Sequence, residues 1–499
     1  MDTNFYDVVV CGGATSGLVA GALLARRGFR VLLLGHEPAL AAFDAAGETM
    51  SRAPAALPAM EAVGGVPIAR VVKELDCGAA IKRRTRTTTP SFRILLPGQK
   101  LDVTPNGKAL VGELETAFGA ASAAVGKVLA RLTALARTLD PLFASAITLP
   151  PNGFWERREV GRMQSLLPGA NEDAYAPLPS EHPLRAMVAA PALHAAAMIA
   201  HDMGPVGETR AFDVAQRGEL VFDGGLADLQ EILLGRLDIF GADRRERLTP
   251  VEVVVRRGRV AGVRVRPRDE TIGCHHLLWA SSAASLVAAL GQPPRGLTPA
   301  PRVAGYRYAI ALLVDAPGIP EGTPARILAI GDPSRALTED NAVAITIGRP
   351  GDGDHRIPMW VECNVSANLV DAGPSYLRAL RGRVVHTLGR LIPGIARHVS
   401  VLSSPYDGLP PERRDLPDAP AAPAHVLPPA LITLPAPRPL DVLGLRHATG
   451  VKNLYLVGRE NLPGLGLEGD FISGWGAARL LSGRQPKRLP PARRVLLGS

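Results

Sequence analysis

Tyr6-Asp7-Val8-Val9-Val10-Cys11-Gly12-Gly13-Ala14-Thr15-Ser16-Gly17 is the stretch whose reading decides the fold. Its apolar half, residues 6–11, has strand character, and residues 18–27 beyond it are rich in helix formers. Strand, tight turn and helix therefore follow in order. A helix entered this way aims unpaired N–H groups and the positive end of its dipole at whatever lies above the turn, so a pyrophosphate is the expected guest. Residues 31–34 supply a second buried strand and complete a βαβ unit.

The unit reads as a Rossmann-like dinucleotide-binding domain of the α/β class, with two departures from its pattern. Aligned on GxGxxG, Gly12 and Gly17 take the outer positions, while the middle glycine, where the backbone meets the pyrophosphate, is Ala14. Gly13, Thr15 and Ser16 complete the cradle. The acidic residue expected to grip the ribose at the end of the second strand is replaced by Gly35. Glu37 lies two residues on, and either reaches the ribose from a longer turn or is a solvated surface carboxylate. Hydrogen bonds to a charged group contribute about 1.5–3 kcal/mol each, so losing that grip weakens adenosine binding roughly ten- to a hundred-fold.

Near the other end stand Asn453-Leu454-Tyr455-Leu456-Val457-Gly458 and Pro463-Gly464-Leu465-Gly466-Leu467-Glu468-Gly469, followed by Ser473-Gly474. In the middle, Phe222-Asp223-Gly224-Gly225 opens a helix-like stretch to residue 237, and residues 251–255 and 260–265 read as a β-hairpin around Arg257-Gly258-Arg259. Taken in order, these motifs resemble the phytoene desaturase and amine oxidase superfamily of FAD-dependent oxidoreductases, the desaturase branch most closely. The resemblance runs through the whole chain. It implies FAD as cofactor, a backbone contact from Val251 to the flavin adenine, and a closing loop in which Gly458, Arg459, Gly464, Gly466, Leu467 and Glu468 stand beside the pyrophosphate, ribityl chain and flavin ring. Glycines there permit close backbone approach, and the stretch beginning at Glu468 presents a second helix N-terminus to the cofactor.

Three departures from the family accompany the match. Arg459 stands where relatives carry a small or acidic residue, and either offsets pyrophosphate charge or pairs with Glu460. Asp470 stands where alanine is usual, and is expected to cap the helix rather than do chemistry. The Arg-Gly-Gly type segment that shapes a loop around the flavin does not occur between residues 38 and 65, where the chain is alanine-rich and Arg52 is the nearby cation.

A chain of 499 residues with 46% hydrophobic content has length for two or three domain-sized units and excludes a largely disordered protein. The cofactor domain is assigned to residues 1–73, 218–300 and 442–485, discontinuous in sequence. Residues 74–217 and 301–441 form an α+β substrate domain, an antiparallel sheet covered by helices, and residues 486–499 a basic tail. Within it, residues 74–217 read as mainly helical, with apolar positions recurring every three or four residues over 110–139, lightly broken at Gly119 and Gly126. Residues 306–314, 325–330, 342–347 and 359–365 read as strands, 376–391 as a helix, and the proline-rich 405–439 as an extended wrapping loop.

The formal charge is +9, which favours anionic surfaces. Its clusters at Lys82-Arg83-Arg84 with Arg86, and at Lys487-Arg488 and Arg493-Arg494, read as solvated faces, with peripheral docking on acidic lipid as the alternative. Low aromatic content, 4%, argues against a nucleic-acid platform. No basic-then-apolar leader is apparent, and the four cysteines are scattered, which fits reduced thiols and a cytoplasmic setting. Residues 184–200 come nearest to a spanning segment but contain Arg185, Pro191 and His194, and read as core or as the lining of a greasy channel. Cys274-His275-His276 is consecutive, so on a strand the side chains diverge and no metal site is expected. No GxSxG or HExxH motif occurs.

The expected activity is hydride removal from an unactivated or allylic carbon of an apolar, isoprenoid-like small molecule onto FAD. Isomerisation, saturation and amine oxidation share the fold and stay open. His194, His201, Tyr306, Arg307 and Tyr308 are chemically capable, but none is assigned a catalytic role. The competing reading is a non-catalytic binding scaffold resembling the Rab GDP-dissociation inhibitors, for which Ala14, Gly35 and the missing Arg-Gly-Gly segment are the signs.

Overall fold

The computed structural model describes residues 4–35, 42–51, 55–58, 67–165, 167, 173–199, 202–222, 224–297, 300–350, 353–370, 374–416, 429–434 and 439–483. Glu37, Arg52, His201 and the basic tail lie outside them.

Phe5–Cys11 is the centre of a seven-stranded sheet. Val31–Leu34 and then Asp243–Arg245 lie parallel on one side of it, and Glu270–Trp279 lies parallel on the other, with Cys11 opposite Trp279. The last of these strands is long enough to serve two partners. Its first half pairs antiparallel with Arg259–Arg266, which turns back to Thr249–Arg256, and its second half pairs parallel with Leu454–Leu456 near the C-terminus. Parallel strands covered on both faces read as continuous apolar runs, which is why the sequence showed them plainly. Val8, Val10, Leu33 and Leu278 face a layer of helices, Thr15–Arg26, Leu226–Ile239 and Gly466–Ser482. Val9, Leu32, Leu34 and Leu277 face the opposite core with Leu286 of the helix Ala283–Leu290.

The second sheet has nine strands, antiparallel except where Arg326–Ile330 meets Phe92–Leu96. Its spine is Arg302–Asp315, paired along its length with Arg356–Ser366, which continues to Ala342–Ile347 and Arg326–Ile330. Side chains alternate across it. Tyr308, Ile310, Leu312 and Val361 lie under the helix Pro374–Leu391, packing with its Leu380, Val384 and Leu388. Ala309, Ala311, Leu313 and Trp360 face the other way, and are covered at one end by Phe43 and Met50 of the hairpin formed by Ala42–Ala45 and Glu48–Ser51. Glu48 ties that hairpin down through Arg356 at 3.0 Å. Of the segment that lacks the family's Arg-Gly-Gly loop, residues 42–51 are this hairpin packed on the large sheet, and Ala55–Pro58 pairs instead with Glu219–Phe222.

The block 74–217 is less purely helical than its periodicity predicts. Phe92–Leu96 and Gln99–Val103 form a hairpin on the edge of the large sheet, turned at Pro97-Gly98 with Gly98 at φ +74° and clamped by the Arg93–Asp102 pair at 2.6 and 2.7 Å. A Pro-Gly turn between two short apolar runs was the signal, overshadowed by the helices after it. Gly107–Phe118 and Ser122–Arg137 are separate helices, because Gly119 adopts φ +51° and turns the chain. By length and composition the stretch Gly107–Ala144 is apolar enough to cross a membrane; in the fold it is broken and sends Leu110, Leu114, Val125, Leu129 and Leu132 into a core. The helix Pro183–Ala195 runs straight through Pro191, with Leu184, Met187, Val188 and Leu193 buried.

Candidate functional site

The N-terminal glycines do what the motif requires of them. Gly12 holds φ +101°, and a Cβ on it would stand 2.4 Å from the Ala280 carbonyl oxygen; one on Gly17 would stand 2.2 Å from the Ala280 Cβ. Only glycine lets strand, turn and helix close on Ala280. The helix then begins at Ala14 with no side-chain cap and no acid in its first turn. Thr15 and Ser16 are buried there, and the Ser16 Oγ has no hydrogen-bond partner. Gly13 contributes its carbonyl to the Gln230 amide at 3.2 Å. A bare helix N-terminus beside a sealed hydroxyl is a set of donors that a pyrophosphate satisfies, so this half of the site fits FAD.

The ribose edge departs further than the sequence suggested. Gly35 sits at φ +62°, and a Cβ on it would lie 2.7 Å from the Pro250 Cδ. The missing carboxylate is thus matched by a proline ring on the same spot. The next residue, Val251, is skipped by the hairpin ladder, which steps from Pro250 opposite Val265 to Glu252 opposite Arg264. The bulge leaves it 36% exposed, as suits a backbone contact to an adenine.

In the closing motif, Asn461 fastens the loop. Its Oδ1 accepts from the Gly458 N–H at 2.8 Å and the Ser473 hydroxyl at 2.9 Å, while its Nδ2 donates to the Leu445 carbonyl at 2.8 Å. The glycines of this motif were expected to admit the cofactor; on their protein side they also permit close packing. A Cβ on Gly464 would meet Val442 at 3.3 Å, on Gly466 the Ala195 carbonyl oxygen at 2.8 Å, on Gly469 the Leu462 carbonyl oxygen at 2.6 Å, and on Gly474 the Ser16 carbonyl oxygen at 2.5 Å. The last contact joins the two ends of the chain, locking the first helix onto the last.

The charged residues of the loop also differ from expectation. Asp470 does not cap the helix; it is buried one turn in, with Oδ1 unpartnered and Oδ2 facing Arg459 Nε at 3.5 Å. Burial pushes its pKa up, and Arg459 draws it back. Arg459 therefore serves Asp470 rather than Glu460, whose Oε2 accepts from the Ala283 N–H at 2.6 Å. Glu468, expected at the cofactor, is buried in a two-bond pair with Arg210, Nε to Oε2 at 3.0 Å and Nη2 to Oε1 at 2.5 Å. Arg210 also donates to Asp140 at 2.6 Å and lies over the Phe143 ring.

Arg459, Leu465, Leu467 and Glu468 form one wall of a cavity of about 260 Å³ over one face of the large sheet. Its floor is the face of the large sheet that bears Arg307, Arg326, Ala344, Thr346 and Glu362, and its sides are Pro191, His194 and Ala195 from one helix and Arg210 and Val214 from another. Gly12 to Gly17 do not line it. Four arginines, three glutamates and a histidine stand among the apolar residues, so the lining is not greasy; of residues 184–200, read as core or channel lining, Leu184, Met187 and Val188 are core and Pro191, His194 and Ala195 face this charged cavity. Arg326 is paired with Glu219 and Arg210 with Glu468, but Arg307 makes no ion pair among the described residues. It is 8% exposed; its Nη2 donates to the carbonyls of Leu193 at 3.2 Å and Ala196 at 2.6 Å, and its Nε has no partner. His194 Nδ1 is likewise sealed and unpartnered, and burial, with Arg307 and Arg326 nearby, holds the ring's pKa well below the usual value, so it is neutral.

No protein-family model matches the sequence, and no curated protein matches it. Solved structures do. An oxidoreductase from Methanosarcina mazei aligns with a TM-score of 0.57 at 14% identity, covering 95% of this chain and 99% of that one. Putrescine oxidase bound to putrescine gives 0.56 at 12%, and cyclohexylamine oxidase from Brevibacterium oxydans 0.51 at 14%, each covering 96% of this chain and 99% of the other. The fold is that of these oxidoreductases. The alignments span both sheets, so the shared fold takes in the large antiparallel sheet as well as the Rossmann-like one.

Within that fold, the residues that sequence reasoning missed are Arg210, Glu219, Arg326 and Glu362; His194 and Arg307 were noticed without a role. A signal existed. Glu362 and Asn364 flank buried Val361, Cys363 and Val365, and Arg307 interrupts the apolar spine, so the strand period already set these polar groups on one face.

Proposed function

We propose that this chain is an FAD-dependent oxidoreductase that takes hydride from a small molecule bound in the cavity over its large sheet. The observation that carries the reading is the bare, uncapped start of the Thr15–Arg26 helix with its sealed Ser16 hydroxyl, locked by Gly474 against the helix whose first residues wall the cavity. The backbone of Ala14, Thr15 and Ser16 would hold the pyrophosphate, Val251 the adenine, and Gly458, Arg459 and Leu467 the ring end. FAD, when bound, supplies the hydride acceptor. The chain's own part is to exclude water with Pro191, Leu465 and Leu467, and to orient the substrate against the charged floor.

The desaturase-type form of this reading, with an apolar isoprenoid substrate, draws on the motif order and on the apolar walls. The arginine-rich floor favours a polar substrate over it. One observation favours the scaffold reading instead: Pro250 packs on Gly35, where a ribose-binding acid would stand. A visible absorption spectrum of the purified protein separates the two. A flavin band, present on purification or gained after incubation with FAD, supports the oxidoreductase. A colourless protein that gains none supports the scaffold.

A further inference from the structure

We infer that the cavity floor is a carboxylate-recognition site, with Arg307 as the group that holds the ligand's anion. The inference deepens the proposed function by naming the substrate class, and it rests on that reading only in calling the ligand a substrate.

Four features point the same way. Arg307 is buried at the centre of the floor and makes no ion pair among the described residues. Two of its hydrogen bonds go to helix-end carbonyls at Leu193 and Ala196, which fix the guanidinium in place without neutralising it. Its Nε is left without an acceptor, and the residue lines the cavity. Beside it, the neutral His194 offers a second unpartnered nitrogen. A buried cation with no carboxylate bonded to it, and Glu362 only near it, is unfavourable, whereas a guanidinium with a free N–H matches a carboxylate. The other arginines of the lining already have carboxylate partners, so they do not compete for the ligand's anion.

Glu362 sets a second requirement. It stands diagonally across the ladder from Arg307, since Ala309 lies opposite Glu362 and Arg307 opposite Asn364. It makes no ion pair among the described residues. A ligand whose carboxylate meets Arg307 must therefore turn a hydrogen-bond donor, an amine or a hydroxyl, toward Glu362. A small carboxylic acid with such a donor is the class that fits about 260 Å³.

The test uses the full-length protein and simple probes: benzoate against its uncharged isostere benzamide, and acetate, hexanoate and lactate to sample size and donor. Binding is read by calorimetry and by the shift in unfolding midpoint, so the result does not require turnover. The expectation is that at least one carboxylate binds, and that benzoate binds at least ten-fold tighter than benzamide. Arg307→Met should weaken the carboxylate at least ten-fold. Where that variant does not fold, Glu362→Gln decides, because removing the Glu362 charge, which repels a bound carboxylate, should tighten benzoate at least three-fold. Equal binding of benzoate and benzamide, no carboxylate bound at millimolar concentration, or unchanged affinity in Glu362→Gln would each overturn the inference. A colourless protein that binds benzoate leaves the site standing and removes the flavin reading; a yellow protein indifferent to carboxylates does the reverse.

Discussion

Removing Arg210 should destabilise the fold far more than its distance from the Rossmann-like core suggests. The side chain is 1% exposed, donates two bonds to Glu468 in the first turn of the last helix, one to Asp140 at 2.6 Å and one to the Ala136 carbonyl at 3.3 Å. In Arg210→Met, Asp140 keeps Arg217 at 2.8 Å, but Glu468 keeps nothing and is itself 2% exposed. An uncompensated buried charge costs about 3–5 kcal/mol. Glu468→Gln is milder, about 1–3 kcal/mol, because Arg210 retains Asp140 and the amide still accepts one bond. In the double variant neither charge is left alone and Met packs over Phe143, so the losses should fall short of additivity by about 2 kcal/mol. The assay is thermal unfolding followed by fluorescence. For a cooperative unit of 150–250 residues the Arg210→Met loss lowers the midpoint by roughly 6–20 °C. A shift under about 1 °C, or strictly additive losses, would show that the pair does not hold the closing motif to the substrate half.

Four further outcomes are expected. Gly474→Ala places a Cβ 2.5 Å from the Ser16 carbonyl oxygen and 2.8 Å from Val19 Cβ, and should lose about 1–3 kcal/mol by urea titration; Gly112→Ala, with open space around it in the Gly107–Phe118 helix, should gain about 0.5–1 kcal/mol. Gly35→Glu, meant to restore the ribose acid, should lower the midpoint and leave FAD affinity no better, because Pro250 fills the site; tighter FAD binding measured by fluorescence would contradict this. Burial pushes the carboxyls of Glu208 and Glu460 up to about 7, with Asp441 adding at Glu208, while bonds from Tyr175 and the Ala283 N–H hold them back. Both are raised acids, so their contribution is fully present below about pH 4.5 and is lost as pH rises through 7, up to about 3 kcal/mol each; Glu208→Gln should flatten the stability profile across that window. Arg307→Met should unfold within about 3 °C of the parent, since the loss of two hydrogen bonds is offset by removal of an unpaired charge, in contrast to Arg210→Met.

How much of this was legible follows from what each residue has to satisfy. The parallel strands and their helices were readable because burial on both faces forces continuous apolar runs, and the glycine at 17 because a helix meets a strand there. The large sheet was half readable: Tyr308, Ile310 and Leu312 announce a strand, but nothing local says that Phe92–Leu96 joins it from far along the chain. Charged residues were the least legible. Arg459 pairs with Asp470, Glu460 with a helix N–H, and Glu468 with Arg210 across 258 positions; each partner is fixed by tertiary packing, which adjacency in sequence does not reveal.

The closing loop shows where inference from glycine stops. A glycine reports that something comes too near for a Cβ, not what that something is. At Gly466 it is the Ala195 carbonyl, at Gly469 that of Leu462, at Gly474 that of Ser16. A scaffold needs such contacts as much as an enzyme does, so these positions do not separate the two readings. Arg307 bears on ligand binding instead. A cavity without a ligand gains nothing by a buried guanidinium that makes no ion pair among the described residues, with Glu362 near it, because apolar side chains of similar volume would be more stable there. The presence of both charges on one face, open to one cavity, is accounted for by a ligand that neutralises them. The case for a bound ligand in this chain therefore rests less on the glycines that first suggested a cofactor than on the charged floor of the cavity.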